Sequence, residues 1–324
     1  MKHKKHLWFL VIGLIMWLSV AVYGYTQTTT AASDLETVTI GYQKADPVDI
    51  ARQHGELIKK MKAKGYQVVF KEFSDGAALM TALKSGAIDY ARVGDTPPVT
   101  AKAAGTDIAL IAAGATKEYG SGILVGKNSQ ITNLKQLKGK TIAYQKGTAV
   151  QYLIIQALKK AGLSTNDVKL VNMDQSSASV AFAKGSVDAW VAWDPYTATA
   201  QVNQGAKLLT NGTGLAKNRD FLISTQNYAK THTALSKLLT TYINDDMTWA
   251  NNHHTQLIAM LSKTLKLSDA VIQKMVERRT YAMALVKADS SIVDEENQIA
   301  NTFYQEGVVT EKVDMKTTLV SGSD

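Results

Sequence analysis

The chain has no cysteine among its 324 residues. That excludes a disulfide framework, a thiolate nucleophile and a lipid-modified cysteine at the end of an export signal. No G-x-x-x-x-G-K-[ST] phosphate loop and no G-x-G-x-x-G dinucleotide fingerprint is present either. Histidine is scarce: His3, His6, His54, His232, His253 and His254 are the full set. None stands beside a nucleophile elbow or at metal-ligand helix spacing with a carboxylate base. His253 and His254 are adjacent, hence on different helix faces. No catalytic residue, metal or cofactor is expected, and the chain does not read as an enzyme.

Acidic residues are missing from the first 32 positions, which open with Lys2-His3-Lys4-Lys5-His6 and run apolar from Leu7 to Tyr25, broken by Gly13, Ser19 and Gly24. A basic cluster followed by an apolar stretch is an export signal, so the protein is expected outside the cytoplasm, at the cell surface or in a periplasm. The stretch exceeds the usual apolar core of about 7 to 15 residues and approaches the roughly 20 that span a bilayer. Removal near Val22-Tyr23-Gly24 or Thr30-Ala31-Ala32 and retention as an N-terminal membrane anchor both stay open. The formal charge is +8, and removing residues 1–32 takes away three lysines, leaving +5. The basic residues lack the aromatic interleaving of nucleic-acid grooves, so no nucleic-acid partner is expected. A mild positive excess suits a solvated surface near an anionic membrane, and equally a small anionic ligand.

What is present is a repeat. Thr39-Ile40-Gly41-Tyr42-Gln43-Lys44 returns about a hundred residues later as Thr141-Ile142-Ala143-Tyr144-Gln145-Lys146. In the same order, Ala82-Leu83-Lys84-Ser85-Gly86-Ala87-Ile88-Asp89 returns in pattern as Ala181-Phe182-Ala183-Lys184-Gly185-Ser186-Val187-Asp188, and this alignment sets Asp95 against Asp194. Apolar alternation predicts strands over 38–43, 66–73, 88–93 and 108–113, with helices over 50–65, 77–84 and 99–104 between them. The second half repeats the scheme from Thr141 to Leu209. Alternating strands and helices predict an α/β fold with parallel-rich sheets in two similar lobes, and facing lobes make a cleft that binds ligands. Gly122–Gly126 and Phe221–Ser224 read as paired crossings between lobes. From Tyr228 onward the chain is mostly helical and is expected to pack on the first lobe.

Lys146-Gly147-Thr148-Ala149 joins a strand to a helix, leaving first-turn N–H groups that attract anions. Thr148 as a simple N-cap is the competing reading. Gln43 and Gln145 hold equivalent strand ends and are placed to donate amide hydrogens into the cleft. Asp194 is an N-cap type before Pro195, with Asp95 in the corresponding position, while Trp193 and Tyr196 can wall an apolar part of a ligand. Arg219 offers a fork for an oxyanion, or a surface pair with Asp220.

Taken together, Ile40-Gly41-Tyr42-Gln43-Lys44, Gly94-Asp95-Thr96-Pro97-Pro98, Gln145-Lys146-Gly147-Thr148, Gly185-Ser186-Val187-Asp188-Ala189-Trp190 and Trp193-Asp194-Pro195-Tyr196 make the chain resemble the aliphatic-sulfonate-binding proteins of ABC importers. These belong to the nitrate/sulfonate/taurine group of type II solute-binding proteins. The resemblance, from about Val38 to Val320, implies a two-lobed type II periplasmic-binding fold with a double-crossing hinge and a helical C-terminal region. It implies residues 1–33 as signal or anchor plus linker, 34–125 and 219–324 as lobe 1, and 126–218 as lobe 2. It further implies a monomer that takes an alkanesulfonate in the cleft and delivers it to ABC permease membrane subunits. The ligand-contacting set is Gln43, Asp95, Thr96, Ser121, Gln145, Thr148, Ala149, Trp193, Asp194 and Arg219. Ala45-Asp46-Pro47-Val48-Asp49 and Phe73-Ser74-Asp75-Gly76 lean toward the taurine binders, where Asp46 or Asp49 would pair with a ligand amine. Taurine, nitrate or a pyrimidine-type precursor is the alternative ligand.

Overall fold

The computed structural model describes residues 35–287 and 290–320. The export signal or anchor lies outside them, and no helix among the described residues is long and apolar enough to cross a membrane. The first half runs β1 (Glu36–Tyr42), α1 (Pro47–His54), α2 (Glu56–Ala63), β2 (Tyr66–Glu72), α3 (Gly76–Lys84), β3 (Tyr90–Gly94), α4 (Thr96–Ala103) and β4 (Ile108–Gly114). One helix over 50–65 was expected and two are found. Gly55 takes φ +86°, a left-handed conformation that ends α1 and is open to glycine at no steric cost.

The second half runs β5 (Gly122–Val125), β6 (Thr141–Tyr144), α5 (Ala149–Lys160), β7 (Lys169–Asn172), α6 (Gln175–Ala183), β8 (Ala189–Ala192), α7 (Tyr196–Gln204) and β9 (Lys207–Asn211). The remainder is β10 (Asp220–Thr225), α8 (Gln226–Thr231), α9 (Thr233–Asn252), α10 (His254–Leu265), α11 (Asp269–Glu277), β11 (Met283–Leu285) and α12 (Ser291–Gln305).

Two sheets form, ordered β11-β4-β10-β3-β1-β2 and β7-β6-β8-β5-β9. Setting β1, β2, β3, β10 and β4 against β6, β7, β8, β5 and β9 makes the orders identical, with β11 as an added edge. The fourth strand of each sheet, β10 and β5, lies just past a crossing and runs antiparallel to its neighbours. The chain therefore crosses twice. The crossings lie side by side, with the Lys117 N–H donating to the Lys217 carbonyl at 2.9 Å and the Gly212 N–H to that of Glu118 at 2.8 Å. This moves one boundary: Gly122–Val125 is a strand of the second sheet, so the first crossing precedes Gly122 instead of occupying Gly122–Gly126. Phe221–Ser224 likewise lies within the first sheet, beyond the return crossing.

The sequence repeat has a physical content. Asp89 accepts from the Thr39 N–H at 2.7 Å, and Asp188 from the Thr141 N–H at 2.8 Å. In return the Asp89 and Asp188 N–H groups donate to the carbonyls of Thr39 and Thr141. Each lobe thus ties the residue before its third strand to its first strand by the same two bonds, at the end of the third strand away from the cleft. Val38, Ile40, Ile142, Val191 and Trp190 are fully buried within the sheets. Burying a Val, Ile or Leu side chain contributes about 1.5–3 kcal/mol, so these strands carry much of each lobe's stability.

The helical tail does more than pack on the first lobe. Val271, Ile272, Met275 and Val276 of α11 join the core of the first sheet, where they meet Ala198 of α7. Ile299, Ala300 and Phe303 of α12 lie in one cluster with Val99 of α4 and Val150 of α5. Gln156 donates to Thr302 at 3.1 Å. Both α11 and α12 therefore bridge the lobes.

Candidate functional site

Open α/β sheets bind ligands beyond the C-terminal ends of their parallel strands. Gln43, Glu72, Gly94, Gln145, Asp174 and Trp193 lie at or just past the ends of β1, β2, β3, β6, β7 and β8, and all line one cleft of about 770 Å³. A helix N-terminus follows each strand, bringing positive dipole ends into the same space.

Four of those six helices are already capped by their own aspartates. Asp46 accepts from the Asp49 N–H at 2.8 Å before α1, and Asp75 from that of Ala78 at 2.9 Å before α3. Asp174 accepts from the Ser177 N–H at 2.9 Å before α6, and Asp194 from that of Ala198 at 3.1 Å before α7. The exceptions are α4 and α5. Asp95 makes no cap bond to α4, whose first turn contains Pro97 and Pro98 and so offers the N–H of Thr96. Thr148 does not cap α5, because its hydroxyl donates to the Gln145 carbonyl at 2.8 Å. The N–H groups of Thr96 and Ala149 have no acceptor among the described residues. One open helix mouth thus faces the cleft from each lobe, a ready arrangement for an oxyanion.

The floor is cationic. Arg92, Lys117 and Arg279 line the cleft and converge on Asp220. Arg92 forms its closest pair with Asp220 and stands 3.6 Å from Asp46, while Lys117 lies 2.6 Å and Arg279 3.4 Å from Asp220. Burial, reinforced by Arg92 and Arg279, pushes the Lys117 ammonium well below its ordinary value. Burial raises Asp46 to about 6 against the pull of Arg92, and raises Asp95 to about 6 against that of Lys117. Charged groups held this dry interact strongly with an incoming anion.

Of the residues expected at the site, Gln43, Thr96, Ser121, Gln145, Thr148, Ala149, Trp193 and Asp194 line the cleft. Their tasks differ from expectation in places. The Gln43 amide donates to the Ser74 carbonyl and accepts from Arg92, each at 3.1 Å. Ser121 accepts from Asn218 at 2.6 Å, joining the two crossings. Asp194 is gripped by Arg278, whose Nε donates at 2.7 Å and whose Nη1 reaches Gln201 at 2.8 Å.

Two of the expected residues lie outside the cleft. Asp95 is buried behind the mouth of α4 and does not line the cleft. Arg219 also lies outside it, because its fork grips Glu295 at 2.7 and 3.2 Å and the Gly114 carbonyl at 3.0 Å. Its partner is not Asp220, and it sits 76 residues away in sequence. Asp46 and Asp49, expected to meet a ligand amine, already have partners within the chain. Asp46 is held by the N–H groups of Gln43 and Asp49, and Asp49 by the Ala45 N–H and Arg52.

Arg92, Lys117 and Arg279 went unforeseen. Arg92 carried a signal, since a charge in the middle of the apolar strand Tyr90–Gly94 is costly to bury without a purpose. Arg279 follows a helix far along the chain and carried none.

Two α/β lobes of matching topology, a double crossing and an interlobe cleft floored by cations and open helix mouths define a type II periplasmic binding protein. The family described as NMT1/THI5 like matches residues 61–257. The chain belongs to that family. A crystal structure of the periplasmic aliphatic sulphonate binding protein SsuA from Escherichia coli superposes with a TM-score of 0.83 at 31% identity, covering 88% of this chain and 92% of that one. The alkanesulfonate-binding protein SsuA from Xanthomonas axonopodis pv. citri, bound to MOPS, gives 0.80 at 29% identity over 87% and 97%. An Escherichia coli protein described as aliphatic sulfonates-binding is 32% identical over 292 residues, 90% of this chain and 91% of its own length.

Proposed function

We propose that this chain is the extracytoplasmic ligand-binding component of an ABC importer for aliphatic sulfonates. The observation that carries the reading is the pair of uncapped helix mouths, one on each lobe, at Thr96 and Ala149. A tetrahedral sulfonate presents three oxygens, enough to accept from both lobes at once. Ligand then favours the closed form, since only that form brings both mouths to one group. The closed lobes dock on permease subunits, and the basic apolar N-terminus keeps the protein near the membrane either before cleavage or as an anchor. Trp193 and Tyr196 wall the ligand's carbon chain. The chain carries out no chemistry on its ligand.

Calorimetry on the purified chain with ethanesulfonate, taurine and nitrate tests this. Saturable heat with ethanesulfonate, exceeding that with nitrate, is expected. Silence with every sulfonate alongside clear binding of nitrate would replace the ligand class while keeping the fold.

A further inference from the structure

Besides the open mouth of α4 at Thr96, the cleft contains two separate anion-seeking centres. On lobe 2 the first turn of α5 opens at Ala149 with no side-chain cap. On lobe 1 and the crossings, Arg92, Lys117 and Arg279 share the carboxylate of Asp220. Asp46 and Asp95 also face the cluster, but each is already committed to backbone N–H groups. Asp46 stands 3.6 Å from Arg92 and spends its oxygens on the Gln43 and Asp49 N–H groups. The Nε atoms of Arg92 and Arg279 are buried without a partner, and Nη1 of Arg279 has no acceptor among the described residues. Arg279 is steadied by the Tyr281 ring 4.3 Å beneath it, so its fork is oriented in advance.

We infer that the preferred ligand is a sulfonate bearing a second anionic group, a sulfocarboxylate, with the sulfonate at the mouth of α5 and the carboxylate on the Arg92, Lys117 and Arg279 cluster. The inference rests on the sulfonate reading above. A dianion meets one centre on each lobe, so it draws the lobes together more strongly than a monoanion of equal length. The ammonium of an aminosulfonate placed at the same cluster would meet three cations.

The test compares ligands matched in carbon count: sulfoacetate, ethanesulfonate and taurine, and separately sulfopropanoate against propanesulfonate, by calorimetry at one salt concentration. One charge-assisted hydrogen bond predicts sulfoacetate to bind about tenfold tighter than ethanesulfonate or more, with taurine weakest. Arg279→Gln and Lys117→Met should each shrink the sulfoacetate-to-ethanesulfonate ratio, while Arg279→Lys retains part of it. A merely structural cluster would weaken both ligands in parallel and leave the ratio intact, which overturns the inference. So does wild-type affinity for ethanesulfonate equal to that for sulfoacetate, with the sulfonate reading surviving. Absence of binding by every sulfonate removes both.

Discussion

Replacing Ala149 by proline removes one atom's worth of function. Ala149 is the first residue of α5, where proline is tolerated because its fixed φ suits the helix and its N–H has no intrahelical partner. Thr148 before it already sits at φ −124° and ψ 169°, within the extended region that a residue preceding proline adopts. The fold should hence lose little, within about 0.5 kcal/mol by urea unfolding. Binding should lose the hydrogen bond from this N–H to a charged oxygen, about 1.5–3 kcal/mol, or about 10- to 150-fold in Kd. Ala149→Gly keeps the donor and serves as control. Calorimetry with ethanesulfonate reads both variants. An unchanged Kd in Ala149→Pro, or an equal loss in Ala149→Gly, refutes the role given to this helix mouth.

Further outcomes follow from other contacts. Asp89→Ala and Asp188→Ala remove matching ties to β1 and β6, and each should lower unfolding free energy by about 1.5–3 kcal/mol, with the more exposed Asp188 at the lower end. Equal stability of either variant and wild type would show that the repeated ties are idle. Arg278→Ala strands the Asp194 carboxylate on the other lobe and should cost about 3 kcal/mol in the same assay. Asp46 and Asp95 titrate at about 6 when folded, against about 3.9 unfolded. The folded chain therefore holds their protons longer, so these groups make stability fall as pH rises from about 4 to about 6. Asp46→Asn should flatten that fall, and a stability profile identical to wild type would exclude Asp46 as a source of it.

The fold was legible because it is written twice. Thr39 with Asp89 and Thr141 with Asp188 form the same hydrogen-bonded tie, so selection on one geometry left two similar strings. Local turn chemistry was less clear: Gly55 splits one expected helix, since an apolar spacing continues across a residue whose φ breaks the ladder. The register of the crossings was hidden for a different reason. Gly122–Val125 is fully buried, and an apolar run reads alike whether it crosses between sheets or lies within one.

At the site, strand ends and helix starts were readable from spacing, which is why Gln145, Thr148 and Ala149 fall in the cleft. Side-chain partners at long range were not. Nothing near Arg219 points to Glu295, and nothing near Asp194 points to Arg278. The cation cluster is assembled from β3, a crossing and the residues after α11, three places that only the folded topology unites.

A crystal structure of the chain grown with ethanesulfonate tests the account most directly. Sulfonate oxygens within about 3 Å of the Ala149 nitrogen and the Thr96 nitrogen, with the lobes closed on the ligand, are predicted. A sulfonate bound elsewhere, or in the cleft but touching only one lobe, would contradict it.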